Sequence, residues 1–183
     1  MESIREDTAL EIFKLIHKRH DEGKIPDWLA RSMVESLLKD AERGWRVIGI
    51  TKEALELLRD QCFRTAKGLQ RAHILNRAET ARTILGSRIP DDPRRVFDFW
   101  RKRDVTVLAT KKQNRGIGNG CVYRTVNDDG KLLGSAAIGF AFDPAHAGVK
   151  LRELWETISD RKIVKVSDIV SEIERDTKGI LPD

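Results

Sequence analysis

The sequence predicts an α+β protein. Apolar residues recur at helical spacing over the first 44 residues, and short β-branched or apolar runs stand at 45–50 and 105–110. Hydrophobic residues make up 40% and charged residues 34%, the balance of a polar globular chain rather than a membrane or disordered one. One domain is expected from 183 residues, enough to bury a sizeable core. The expected layout is an N-terminal helical hairpin over 1–44, a core over 45–150 and C-terminal helices over 151–183.

In the hairpin, Ala9, Ile12, Phe13 and Ile16 share one helical face. Ala30, Met33, Val34, Leu37, Leu38 and Ala41 share another, with Pro26-Asp27 as a start and Gly44 as a stop. Such a face packs on the rest of the chain or on a second copy, as a homodimer. WRVIGI (45–50) predicts a strand, after which Thr51 caps the helix TKEALELLRDQ with Ala54, Leu57 and Leu58 inward. Lys67-Gly68 breaks the chain before LQRAHIL, which has strand character. NRAETARTIL predicts a helix ending at Gly86, SRIPDD a loop, and Asp92-Pro93 the start of a helix that runs to about Asp104. VTVLAT (105–110) is the next strand and enters the polar run KKQNRGIGNG. CVYRTV, the turn NDDG and KLLGSAAIGFAF predict a β-hairpin, and 151–159 and 167–178 two terminal helices.

No apolar run approaches the ~20 residues of a membrane span. The opening MESIREDTALEIF lacks the basic-then-apolar pattern of a signal peptide, so a cytoplasmic protein without a membrane partner is expected. Cys62 and Cys121 form no C-x-x-C pair and read as ordinary buried thiols. The net charge of +5 points to a polyanionic partner. Within RRVFDFWRKR (94–103), Arg94, Arg95, Arg101, Lys102 and Arg103 offer cations to phosphates, with Phe97, Phe99 and Trp100 as anchors. A solvated helix face explains the same run equally well. Lys111, Lys112 and Arg115 add three more cations, and Arg71 is a further phosphate candidate. GIGNG contains a GxG, a weak phosphate-loop signal without a suitable helix after it.

The histidines are His17, His20, His73 and His146, of which His73 alone has a companion pattern. An apolar strand ending in His73-Ile74, and Val107-Leu108 followed by Asn114 in VLATKKQNRG, together resemble the ββα-metal core of HNH endonucleases. The matched part covers about a quarter of the chain, and residues 77–103 form an insertion between its two strands. What the resemblance implies is an HNH-like ββα core with an additional β-hairpin, flanked by N- and C-terminal helices. It further implies metal-dependent hydrolysis of phosphodiester bonds, in DNA rather than RNA. His73 would be the general base, and Asn114 would offer a carbonyl oxygen to a hard cation, Mg²⁺ or Mn²⁺. Ala72 stands where the family carries a metal-binding Asp, Glu or His, so Asp104, Glu79 and Asn119 are the replacement candidates. Two alternatives stand beside this: a non-catalytic nucleic-acid-binding or regulatory protein, and a module whose basic helix docks on an acidic protein. A satisfied strand-edge histidine and a helix C-terminal turn at Asn114 are the plain structural readings of those residues.

Overall fold

The computed structural model describes residues 6–41, 46–62, 67–115, 117, 120–124 and 163–182. They contain six α-helices and a five-stranded mixed sheet, an α+β architecture. No described helix is long and apolar enough to cross a membrane. The chain divides into two compact units, neither continuous in sequence. A helical unit comprises 1–43, 75–104 and 173–183, and a sheet unit 44–74 and 105–172. The segment after His73, expected as an insertion within the core, thus folds with the N-terminal helices.

The helical unit contains α1 (Glu6–Asp21) and α2 (Asp27–Ala41), then α4 (Arg77–Gly86) and α5 (Arg94–Arg103). Phe13, Ile16, Val34, Leu38, Ile84, Phe97 and Trp100 are fully or almost fully buried in its core. Of the predicted apolar stripes of the hairpin, Ala9, Phe13, Ile16, Ala30, Val34, Leu37 and Leu38 are buried, whereas Ile12 and Met33 stay 36% and 40% exposed. In α4, Asn76 caps the helix by accepting from the Ala78 N–H at 2.8 Å. In α5, Pro93 sits at the cap and the Asp92 carboxylate accepts from the Arg94 N–H at 3.0 Å. Val96, Phe97, Phe99 and Trp100 then form one buried stripe at i, i+1, i+3 and i+4. The aromatics of the basic run are therefore core residues.

The sheet unit holds β1 (Arg46–Thr51), α3 (Lys52–Asp60), β2 (Leu69–His73), β3 (Val105–Thr110), β4 (Cys121–Arg124) and β5 (Ile163–Lys165). The strand order is β2-β3-β1-β4-β5, with β1 and β3 parallel and every other pair antiparallel. β3 is buried along almost its whole length, as a central strand should be. At Gly49 the β1 register shifts, and a Cβ there would lie 2.7 Å from the Tyr123 carbonyl oxygen. Only glycine admits that approach of β4.

The last helix, α6 (Val166–Thr177), contributes its residues up to Glu172 to the sheet unit and those from Ile173 to the helical unit. Within the sheet unit Arg124 and Glu172 make a two-toothed ion pair.

Three expectations change. Leu55, rather than Leu57, joins Ala54 and Leu58 in the buried face of α3. Cys62 and Cys121 are both exposed. Cys62 takes a left-handed φ of 50° just past α3, a turn position that faces water. The first strand of the expected hairpin is β4, but its described partners are β1 and β5. The second strand, and the helix expected at 151–159, lie outside the described residues.

Candidate functional site

The two strands that carry the HNH resemblance are neighbours. β2 and β3 pair antiparallel from Leu69↔Thr110 to His73↔Thr106, and the Ile74 N–H donates to the Val105 carbonyl at 3.1 Å, extending the pairing. Residues 75–104 leave and re-enter the sheet unit at that end. His73 is half-buried and shares a sheet face with Arg71, which is also half-buried, and with the fully buried Thr106 and Leu108.

Asn114 is placed elsewhere. β3 ends in a short 3₁₀ turn (Gln113–Arg115), and there the Asn114 Nδ2 donates to the Gln70 Oε1 at 2.8 Å. Gln70 precedes His73 by three residues, an odd step that puts the two side chains on opposite faces and about 10 Å apart along the strand. The Lys111 N–H donates to the Gly68 carbonyl at 3.2 Å, which fixes the turn against the start of β2. His73 stands at the far end of that strand.

Of the replacement ligands, Asp104 and Glu79 are described. Asp104 is buried, and both its oxygens accept from Arg77, at 2.7 Å each from Nε and Nη2. The same guanidinium lies 5.8 Å from the Trp100 ring centroid. Glu79 is exposed in the first turn of α4 and belongs, like Asp104, to the helical unit. Asn119 lies outside the described residues. Among the described residues no three His, Cys, Asp or Glu side chains gather to hold a metal ion. The described residues of the expected set do not fit a Mg²⁺ or Mn²⁺ site, because Asp104 is neutralised by Arg77 and Asn114 and His73 diverge.

The cations of α5 are also engaged. Arg95 donates to the Gly179 carbonyl and Lys102 to the Asp176 carbonyl, the latter at 3.2 Å, while Arg103 reaches the Thr177 hydroxyl at 3.5 Å. Three cations thus meet the C-terminus of α6, where unpaired carbonyls and the helix dipole favour positive charge. Arg103 also lies 5.2 Å over the Phe99 ring. Burial lowers its pKa, against the opposing charges of Glu174 and Glu79. Arg101 pairs with Asp98 at 3.4 Å and Arg94 approaches Asp7 at 3.9 Å. The basic run thus makes contacts within the fold, while Arg94, Arg95, Arg101 and Lys102 stay exposed.

The turn after β3 is built differently. The Gln113 Oε1 accepts from the Thr51 hydroxyl at 2.8 Å, the Thr110 hydroxyl at 3.1 Å and the Thr110 N–H at 3.2 Å. Its Nε2 donates to Glu53 at 2.6 Å. Thr51 meanwhile caps α3 by accepting from the Ala54 N–H at 3.2 Å. One inward amide therefore pins the turn to the carboxyl ends of the parallel strands β1 and β3, and Lys111, Lys112 and Asn114 stand exposed around it. Neither lysine makes an ion pair among the described residues. Arg115 lies on the same turn.

Sequence reasoning missed Gln113, Gln70 and Arg77, whose partners are distant in the chain. It also left His17 and His20 without partners. Buried His17 has its Nε2 2.9 Å from the Ser87 carbonyl and its Nδ1 3.0 Å from Asp21, and His20 lies within 4 Å of Asp21 and Asp27. The charge divides sharply between the units. The sheet unit carries 16 Lys/Arg against 11 Asp/Glu, a surplus of 5, and the helical unit 18 against 18. No family model, curated protein or solved structure matches the chain.

Proposed function

We propose that the sheet unit binds the phosphate backbone of a nucleic acid through the turn after β3, with Lys111, Lys112 and Arg115 as its main cations and Arg71 on β2 as a further one. The observation that carries this reading is the charge division, since the whole formal surplus of +5 belongs to this unit. Two exposed lysines on a turn held by four hydrogen bonds give a cationic contact that needs little ordering on binding. DNA is the substrate class the HNH resemblance implies. Titrating labelled duplex and single-stranded oligonucleotides at several salt concentrations tests the reading. Affinity should fall steeply with salt as counterions are released, and binding without salt dependence would refute it.

A second reading is favoured by one observation, the antiparallel pairing of β2 and β3 around a separately folded insertion. In that reading the protein is a metal-dependent HNH-type endonuclease and His73 takes the proton of the attacking water. Plasmid nicking in Mg²⁺ or Mn²⁺, abolished by His73→Ala with binding retained, supports hydrolysis. Binding without cutting in Mg²⁺, Mn²⁺, Ni²⁺ or Zn²⁺ leaves the first reading standing alone.

A further inference from the structure

The amide pair beside the two lysines carries an inference that rests on the nucleic-acid reading and deepens it. Gln70 and Asn114 come together from β2 and from the turn after β3, 44 positions apart, through one hydrogen bond of 2.8 Å. Neither side chain has another hydrogen-bond partner among the described residues. The bond uses one Asn114 amide hydrogen and one lone pair of the Gln70 oxygen. It leaves the Asn114 Oδ1, a second Asn114 amide hydrogen and both Gln70 amide hydrogens available.

Asn114 is exposed, Gln70 half-buried, and each amide restrains the other's rotation. Gln113 fixes the backbone between Asn114 and the exposed Lys111 and Lys112. The result is an exposed amide that offers an acceptor and a donor two and three residues from two exposed lysines. Phosphate contacts set register, and amide side chains of this kind pair with the amino group and ring nitrogen at the major-groove edge of adenine.

We propose that Gln70 and Asn114 form a base-reading pair for adenine, with Lys111 and Lys112 holding the adjoining phosphates. The full-length chain is incubated with a duplex library randomised over a short window, and bound sequences are compared with the input. The wild type should enrich adenine at one position, with about 5- to 150-fold discrimination against other bases. The Gln70→Ala/Asn114→Ala pair should lose the preference yet keep the affinity for random duplex and the salt slope. Asn114→Asp, whose carboxylate only accepts, should move the preference toward cytosine, which offers an amino donor. Lys111→Ala/Lys112→Ala should keep the preference and lower the salt slope by about 2. Wild-type binding with no base preference, or a preference that survives the Gln70→Ala/Asn114→Ala pair, overturns this inference and leaves backbone binding intact. Absence of salt-dependent binding overturns both.

Discussion

Arg77 and Asp104 face each other across the ends of the inserted helical segment, joined by two hydrogen bonds of 2.7 Å with side chains only 14% and 6% exposed. Arg77 opens α4 and Asp104 follows α5, so the pair joins residues 27 positions apart within the helical unit. Asp104 therefore serves the architecture of that unit.

Breaking this pair should be costly. Asp104→Ala leaves the largely covered Arg77 guanidinium without this counter-charge, and a loss of about 3–5 kcal/mol is expected in urea unfolding. Replacing both partners by apolar residues of similar volume should cost far less. Equal losses for single and double variants would show that packing, not charge, holds the site.

Gly49→Ala should destabilise the sheet unit by about 1–3 kcal/mol, because the new Cβ meets the Tyr123 carbonyl oxygen at 2.7 Å. The clash is with backbone, so β4 has to move. Thermal unfolding followed by circular dichroism reads the change, and a neutral substitution would mean that β4 yields freely.

Gln113→Ala should act on binding as well as on folding. It leaves the Thr51 and Thr110 hydroxyls without their acceptor and frees the turn that carries Lys111, Lys112 and Asn114. A stability loss of about 1–3 kcal/mol is expected, with weaker oligonucleotide binding. Unchanged affinity at full occupancy of the folded state would show that the turn needs no such support.

Much of the fold was legible because local signals agreed with tertiary ones. VTVLAT became β3 over the expected span and LQRAHIL became β2 as far as His73, Thr51 capped α3, and the aromatic stripe of RRVFDFWRKR was apolar at helical spacing. What failed to show was set by distant partners. The three-residue β5 is too short to carry a pattern, and NDDG advertised a local hairpin while β4 also paired with β1. Nothing in the basic run of α5 reveals that the C-terminus of α6 lies against Arg95 and Lys102. Likewise, His73 and Asn114 sat on paired elements as expected, but the Gln70 contact that directs Asn114 to the other face joins residues 44 positions apart.

The central claim is that the turn after β3, and not α5, meets the nucleic acid. The salt dependence of oligonucleotide binding tests it most directly, compared between Lys111→Ala/Lys112→Ala and Arg95→Ala/Lys102→Ala. The first pair should lower the slope of log affinity against log salt by about 2, and the second should leave it unchanged while reducing stability. A slope that falls with the α5 pair and persists with the turn pair would contradict the account.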